Sequence, residues 1–352
     1  QTDRQTIIDI IRGVAVFLML WGHCIQYCYP QSLDFFEDHV FKMIYSFHMP
    51  LFMMISGYLF FSSCQKYNFE VLISKKVSNL FRPIIIGGVF EYILTTALFG
   101  LLRGQGLSVL LDGKWFINKL TSLWFLWSVL SATIVMCFVK KVENNAILKW
   151  VIILLGLFLV ALFPNRNMNM YMYPYFVLGY YYAKHKEKLI RFDKLKYLSI
   201  ILFPLLMMLY EKKHFIYTSG IIGGSSIAES VFIDAYRWLI GLVGCIFTIT
   251  LIQLLILLPV VRNVIRKFTS LGKKSLQVYV VSVVFLSAYL PIIMNLIRKI
   301  GIFEIIYQAI TTNILIYDCT FMLLLAIIYA IMLYLIVLLM EKIKLSKIVF
   351  GR

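Results

Sequence analysis

Long apolar runs alternate with short polar and charged segments along the whole chain. Most runs approach the length of about 20 residues that an α-helix needs to cross the hydrocarbon core of a bilayer. The pattern predicts transmembrane helices near residues 7–29, 40–62, 83–102, 121–139, 150–163, 170–183, 197–210, 231–258, 276–297 and 314–340. The first run is too long for a signal-peptide core, and we expect it to remain as the first span. We therefore predict an all-α polytopic membrane bundle of about ten helices, forming one integral membrane domain over residues 1–352.

Composition excludes a soluble globule. Hydrophobic residues make up 61% of the chain and charged residues only 14%, whereas about a quarter of a typical soluble domain is charged. The polar surface is too small to cover a protein that faces water on all sides. We expect a multi-pass protein of the bacterial cytoplasmic (inner) membrane, with membrane lipid as its surroundings.

The basic residues orient this bundle. Of the 34 Lys and Arg residues, 24 fall in the N-terminal segment, the even-numbered loops and the C-terminus, and nine fall in the odd-numbered loops. Basic loops stay in the cytoplasm, so we predict that both termini are cytoplasmic. The densest group, between Lys184 and Lys196, is interpreted as a retention signal for that loop, with anionic lipid or a phosphorylated cofactor as the alternative. The net charge of +17 thus reports topology and gives no support to nucleic-acid binding.

Ionisable side chains within predicted spans are the first functional candidates, because stranding them in lipid costs several kcal/mol. In helix 1, Arg12 and His23 are eleven residues apart and share a face, roughly 16 Å apart along the axis. Asp9 lies three residues before Arg12, at a spacing that permits an ion pair. An Arg suits a phosphate, and a His suits a general base or a nucleophile. The structural alternatives are an Arg that reaches to the interface and a buried, hydrogen-bonded His.

Other polar residues are weaker candidates. His48 lies near the start of helix 2, and Ser56–Tyr58 further along that helix permits a close helix approach. Glu91 lies within helix 3, and Asp318 is interpreted as an interfacial acid that opens helix 10. Asp234 and Arg237, three residues apart in helix 8, predict a structural ion pair.

Two basic residues and the aromatic content add to the picture. Pro83 suits the first turn of helix 3, and Arg82 before it, with Lys76 nearby, is either a cytoplasmic anchor or part of a site for an anionic cofactor. Aromatic residues account for 16% of the chain, which is compatible with interfacial belts and with a carbohydrate groove. The six cysteines and five histidines form no ligand pattern, so we predict no metal site.

Five motifs in chain order resemble those of the acyltransferase-3 membrane acyltransferases. The most specific is Asp9–Gly13 followed by His23, because an Arg and a His separated by ten residues are the hallmark of that family. The others are Phe47–Phe52 with Ser56–Tyr58, Leu123–Leu126, Tyr173–Phe176 with Leu178–Tyr180, and Leu271–Leu276 with Val278–Tyr279. The resemblance departs at Val280–Ser282, where many relatives carry a histidine, so a role for that histidine is not carried over.

The resemblance implies acyl transfer, usually of acetyl from cytoplasmic acetyl-CoA, to a hydroxyl of a glycan or an undecaprenyl-linked saccharide, as in O-acetylases of capsule, O-antigen or exopolysaccharide. On this basis Arg12, Arg82 and Lys76 bind the polyanionic CoA at the cytoplasmic mouth. His23 acts as general base or as an acyl relay, and Asp9 orients Arg12. We assign the acceptor to four further residues, namely His48, Glu91, Trp124 and Tyr175.

Two other functions remain open from the residues alone. A transporter or flippase for a lipid-linked or anionic glycan would use the basic and aromatic residues to bind cargo and His23 as a proton relay. A non-catalytic assembly partner in polysaccharide export would not need His23 for acetylation. The sequence carries no feature that indicates an oligomeric state.

Overall fold

The computed structural model describes residues 2–29, 33–103, 113–285 and 313–351. Within these ranges nearly all residues are helical, and none lies in a β-strand. The predicted all-α class is confirmed. The cause is the composition of the apolar runs, because in lipid a helix satisfies its own backbone hydrogen bonds.

The helices follow one another with short connections. They are α1 (Thr2–Cys28), α2 (His39–Lys66), α3 (Phe69–Arg103), α4 (Gly113–Thr121), α5 (Trp124–Lys141), α6 (Ala146–Leu159), α7 (Arg166–Lys184), α8 (Lys186–Leu189), α9 (Ser199–Met207), α10 (Ile216–Ser219), α11 (Ile227–Leu257), α12 (Pro259–Lys273), α13 (Ser275–Phe285), α14 (Ile314–Lys342) and α15 (Leu345–Phe350). Short 3₁₀ segments lie at Phe35–Glu37, Val160–Leu162, Ile190–Leu198 and Lys212–His214. α14 contains one π-helical turn, Asp318–Met322.

Six helical segments of the described chain are long and apolar enough to cross a membrane. They are Gln5–Cys28, His39–Lys66, Phe69–Ala97, Trp124–Lys141, Ile227–Leu257 and Ile314–Lys342. They coincide with the first, second, third, fourth, eighth and tenth predicted spans. The chain is therefore a multi-pass membrane protein.

The other predicted spans have helical counterparts of different length. The fifth and sixth correspond to α6 and α7, and the seventh corresponds to the nine-residue α9 after a 3₁₀ segment. The ninth corresponds to α13 as far as Phe285, and the rest of it lies outside the described residues.

The predicted start of the third helix is wrong. α3 begins at Phe69, so Pro83 lies inside the helix and not in its first turn. A proline is tolerated within a membrane helix because neighbouring helices and side chains compensate for the lost backbone hydrogen bond. The segment before Pro83 therefore continues the same helix.

Hydroxyl groups inside the helices are bonded to the helix backbone. Thr248 and Thr250 of α11 donate to the carbonyl groups of Gly244 and Ile246, at 2.9 and 2.8 Å. Ser226 caps the start of α11 by accepting from the Glu229 N–H group. These local bonds satisfy polar groups that would otherwise be unpaired in an apolar environment.

The chain forms two compact units that each draw on several segments. Unit 1 contains Gln1–Ala15, Tyr45–Phe81 and Trp124–Ser270, and unit 2 contains Val16–Ile44, Arg82–Leu123 and Leu271–Arg352. Helices α1, α2 and α3 each contribute a part to both units. A single domain over residues 1–352 stays a prediction.

Unit 1 is built on a very close approach of α2 and α7. Gly57 of α2 lies against the Phe176 carbonyl of α7, and Gly179 of α7 lies against the Met54 carbonyl of α2. A Cβ atom at either glycine would overlap the opposing backbone. The close approach predicted for Ser56–Tyr58 is confirmed, and its partner is the segment that carries another of the sequence motifs.

Unit 2 packs the second half of α1 against the start of α14. The Trp21 indole N–H donates to the Asp318 carbonyl at 3.1 Å, and the Tyr317 hydroxyl donates to the Cys28 carbonyl at 3.0 Å. Further along α14, the Tyr329 hydroxyl donates to the Ser282 carbonyl of α13 at 3.4 Å. The start of α14 thus makes hydrogen bonds with α1 both before and after His23 in the sequence, at Trp21 and at Cys28.

Candidate functional site

In unit 1, α1 carries the predicted acid and guanidinium pair. Arg12 Nη1 lies 3.4 Å from Asp9 Oδ1, which confirms the expected pairing. Asp9 is buried, whereas the Arg12 side chain keeps 24% of its surface exposed. The buried carboxylate therefore holds a guanidinium that still reaches the surface of its unit.

In unit 2, the same helix carries His23. Its Nδ1 lies 3.0 Å from the Gln26 side-chain oxygen Oε1. A carbonyl oxygen only accepts, so Nδ1 carries the proton and the lone pair of the neutral imidazole lies on Nε2. The Tyr27 ring lies 6.0 Å from the imidazole ring at an angle of 28°. This tautomer presents Nε2 as a base or a nucleophile.

Glu91 belongs to the same unit and is tied to α4. It is buried at 2% exposure, and its carboxylate pairs with Lys119 Nζ at 2.9 Å. It also accepts a hydrogen bond from the Ser122 hydroxyl. Its charge acts on the Tyr27 phenol, which stacks on His23. Glu91 thus lies in the electrostatic surroundings of Tyr27, the ring that stacks on His23.

In unit 1, a series of aromatic rings connects His48 and Trp124, two of the residues that we predict to bind the sugar acceptor. The His48 ring lies 4.7 Å from the Tyr45 ring, and both Tyr45 and Trp124 lie 6.1 Å from the Tyr217 ring. These spacings are typical of interacting aromatic rings. We call Tyr45, His48, Trp124 and Tyr217 the aromatic row. Tyr45 and Tyr217 belong to none of the sequence motifs, and only the fold assigns them to it.

Tyr175 is placed apart from this row. It is only 1% exposed, and its hydroxyl donates to the backbone carbonyl groups of Trp238 and Arg237 at 3.1 and 3.4 Å. The side chain fixes α7 to α11. Its assignment to acceptor binding stays a prediction.

The predicted ion pair of α11 is confirmed. Arg237 Nη1 lies 2.7 Å from Asp234 Oδ1, and Arg237 also donates to the carbonyl groups of His214 and Gly220, both at 2.9 Å. Burial, together with nearby Lys213, lowers the pKa of His214 to about 4. Arg237 therefore fixes the loop before α11, and its role is structural.

The two other basic residues predicted to bind the anionic cofactor, Arg82 and Lys76, lie in different surroundings. Arg82 is exposed in unit 2. Lys76 of unit 1 lies 5.9 Å from the Phe60 ring, and it shares an electrostatic environment with Lys140. Cations in such a setting suit the phosphate groups of an anionic ligand.

Three further lysines surround Tyr67 in unit 1. Lys75 and Lys66 lie 4.2 and 5.5 Å from its ring, and Lys140 donates to its carbonyl at 3.1 Å. Lys66 and Lys75 lower the pKa of the half-buried Tyr67 phenol. We call Lys66, Lys75, Lys76 and Lys140 the lysine cluster. Its members come from α2, α3 and α5, which is why no local motif revealed it.

Two polar residues of unit 2 are fully buried. Ser282, at the departure from the family pattern, is fully buried and donates to the Tyr279 carbonyl at 2.7 Å, so its hydroxyl is committed to its own helix. Asp318 is also fully buried. The interpretation of Asp318 as an interfacial acid is therefore wrong, because α1 covers the start of α14.

Comparison with known proteins adds an independent observation. A family model described as an acyltransferase domain matches residues 5–344. The chain is 30% identical over 193 residues to nodulation protein NolL of Sinorhizobium fredii, covering 53% of this chain and 50% of the relative. It is 27% identical over 187 residues to nodulation protein NolL of Mesorhizobium japonicum, covering 52% and 48%. The chain spans about half the length of the curated relatives it matches. No solved structure matches it.

Proposed function

The chain belongs to the acyltransferase-3 family, and we propose that it moves an acetyl group from cytoplasmic acetyl-CoA to a hydroxyl of a bacterial surface glycan or its undecaprenyl-linked precursor. The observation that carries this proposal is the hydrogen bond from His23 Nδ1 to Gln26. It leaves the lone pair on Nε2 of a His within a membrane-spanning helix, where a base or nucleophile would be needed.

The reaction follows from that tautomer. His23 Nε2 takes the proton of the acceptor hydroxyl while the hydroxyl oxygen attacks the thioester carbonyl. The C–S bond then breaks, CoA leaves as a thiolate, and the imidazolium returns the proton to the sulfur. In the competing route Nε2 attacks the thioester carbonyl, the C–S bond breaks, and CoA leaves as a thiolate. The acceptor hydroxyl then attacks the acyl-imidazole, its proton passes to the thiolate, and the C–N bond breaks to restore the neutral imidazole.

Cations on the predicted cytoplasmic side suit the acyl donor. Coenzyme A carries several phosphate charges, and we assign them to Arg12, Lys76 and Arg82. Arg12 is oriented by Asp9. The lysine cluster supports the assignment of Lys76, because it gathers further positive charge around that residue.

The acceptor is assigned to polar and aromatic residues. The aromatic row contains His48 and Trp124, and flat aromatic rings suit the faces of sugars. Glu91 is a buried carboxylate near Tyr27, and carboxylates accept hydrogen bonds from hydroxyl groups. Tyr175 completes the assignment, and its side chain is buried.

We place the protein in the bacterial cytoplasmic membrane with about ten spans and both termini in the cytoplasm. The distribution of Lys and Arg supports this orientation. The acyl donor is then on the side of the termini, and the acetyl group crosses towards the acceptor through the protein.

The test is acetyl transfer by purified protein in detergent, with extracted lipid-linked glycans as acceptors. We expect His23→Ala to bind acetyl-CoA normally and to lose transfer by at least about a hundredfold. Arg12→Ala should weaken acetyl-CoA binding. The matched controls are His39→Ala and Arg166→Ala, both at exposed positions, and they should behave as wild type.

A second set of results would contradict the acyltransferase proposal. If wild type binds no acetyl-CoA, and if His23→Ala and Arg12→Ala leave cellular glycan acetylation unchanged, the acyltransferase proposal fails. Transport of a glycan would then be the better explanation.

A further inference from the structure

Tyr217 is an exposed aromatic residue in the loop before α11. It keeps 43% of its surface exposed, whereas Phe215 and Ile216 just before it are 1% and 6% exposed. The exposed residues beside it in the loop, Lys212 and Thr218, are polar. The fold thus singles out this ring of the loop for the surface. It is not among the four residues assigned to the acceptor above.

Arg237 of α11 fixes the loop that presents Tyr217. This side chain is 1% exposed, and it donates to the His214 carbonyl before Tyr217 and to the Gly220 carbonyl after it, both at 2.9 Å. It also donates to the Ser219 hydroxyl at 2.5 Å. A guanidinium has five donors in one rigid plane, so one buried group holds several loop atoms. The backbone that carries Tyr217 is therefore held in place on both sides.

Exposure falls along the aromatic row from Tyr217 inward. Tyr45 is 9% exposed and contacts Tyr217, and His48 is 1% exposed and contacts Tyr45. Trp124, whose ring lies 6.1 Å from that of Tyr217, is half-buried. The row therefore leads from the surface of unit 1 to a buried imidazole. Aromatic walls with a few polar groups are typical of small-molecule sites.

The aromatic row and the lysine cluster lie at opposite ends of the same two helices. Tyr45 lies near the start of α2 and Lys66 at its end, whereas Trp124 begins α5 and Lys140 lies near its end. Trp124 and Lys140 are sixteen residues apart, or about 24 Å along the helix at 1.5 Å per residue. Lys76 of the cluster is assigned above to the acyl donor. That assignment leaves the row for the other reactant.

We propose that Tyr217 is a specificity-determining residue of the acceptor site, on which the apolar face of a sugar ring stacks, and that Arg237 positions it. The proposal rests on the proposed function, because the sugar is the acetyl acceptor. The C–H groups on one face of a pyranose form a flat apolar surface that matches an aromatic ring. A Tyr side chain offers such contact area at a low entropic cost. Selectivity follows, because axial hydroxyl groups that interrupt this face reduce the contact with Tyr217.

The experiment measures two quantities for purified protein in detergent. They are the binding of the extracted lipid-linked glycan without acetyl-CoA, and the KM for the same glycan in transfer. We expect Tyr217→Ala to weaken glycan binding and to raise the glycan KM by about tenfold, while acetyl-CoA binding stays as in wild type. Tyr217→Phe keeps the ring and should stay close to wild type. The matched control is Tyr197→Ala, because Tyr197 of unit 1 is 46% exposed and carries no assigned role.

Arg237→Lys tests the positioning role. It keeps a charge for Asp234 but loses the planar set of donors, so we expect a higher glycan KM and unchanged acetyl-CoA binding. The double variant with Tyr217→Ala should bind glycan no more weakly than Tyr217→Ala alone, because residues that act through one another are not additive. Additive losses would contradict this role. Ser219→Ala removes one loop contact of Arg237 and is the milder test.

Two results would overturn the stacking site. One is glycan binding by Tyr217→Ala that equals binding by Tyr197→Ala, and the other is a Tyr217→Phe variant as weak as Tyr217→Ala. Because Tyr217 is exposed, its replacement should change stability little, and the result does not depend on a change in the fold.

The stacking site and the proposed reaction can fail separately. If wild type transfers acetyl and Tyr217→Ala keeps the same glycan KM, the reaction stands and the stacking site falls. If glycan binding depends on Tyr217 but wild type transfers no acetyl group, the site survives and the proposed reaction fails.

Discussion

At the scale of single residues, Gln26 is the hydrogen-bond partner of His23 Nδ1. The contact with the Gln26 oxygen orients the imidazole ring, and with that oxygen as acceptor the proton lies on Nδ1. An imidazole in the other tautomer would present a proton where the acceptor hydroxyl needs a base. Gln26 is therefore a positioning residue in the proposed reaction.

Replacing Gln26 tests that role directly. We expect Gln26→Leu to lower kcat by on the order of tenfold to a hundredfold while acetyl-CoA binding stays unchanged. Gln26→Glu keeps an acceptor for Nδ1–H and should retain more activity than the leucine variant. Steady-state transfer kinetics measure this, with Gln65→Leu as the control at an exposed position. Equal kcat values for Gln26→Leu and wild type would contradict the role.

At the scale of helices, the contact of α2 with α7 sets the packing of unit 1. Gly57 and Gly179 each face the backbone of the opposite helix, and a backbone carbonyl cannot swing away as a flexible side chain can. Small residues allow such close approach between membrane helices. The sequence motifs that contain these glycines therefore report packing.

Gly57→Ala should separate the two helices and destabilise the protein. We expect a loss of about 1–3 kcal/mol, the usual penalty for overpacking, seen as a lower Tm in detergent. Gly113→Ala is the matched control, because a Cβ atom there would meet no atom within 4 Å. A Gly57→Ala variant as stable as Gly113→Ala would show that the approach is not tight.

At the scale of the whole molecule, the seventh predicted span contains the shortest helix of the predicted crossings. α9 contains nine residues, or about 14 Å at 1.5 Å per residue, less than the roughly 30 Å hydrocarbon core. Many apolar side chains around it are exposed, including Ile201, Leu205 and Met208. Exposure of this kind suits contact with lipid chains.

Cysteine labelling tests the crossing. Among the six cysteines only Cys319 is exposed, so a Cys319→Ser background permits single labels at Lys188→Cys and Ser225→Cys. Positive-inside orientation predicts that a membrane-impermeant maleimide labels Ser225→Cys in cells with a permeabilised outer envelope. Lys188→Cys should react only after the cytoplasmic membrane is opened. Labelling of both from the same side would mean that the segment between them does not cross.

Local patterns in the sequence determined the fold class, two ion pairs and the family. The apolar runs predicted an all-α membrane protein, because backbone groups in lipid must bond within their own helix. Neighbours three residues apart on a helix predicted the pairs Asp9–Arg12 and Asp234–Arg237, since helical geometry alone brings them together. The resemblance at Arg12 and His23 pointed to the family.

Only the tertiary structure decided which distant residues meet. The aromatic row and the lysine cluster join segments far apart in the chain, and no periodicity encodes such contacts. The same limit explains the wrong interpretations of Pro83 and Asp318. Whether a proline ends a helix, and whether an acid at a helix start meets water or protein, depends on what packs against it.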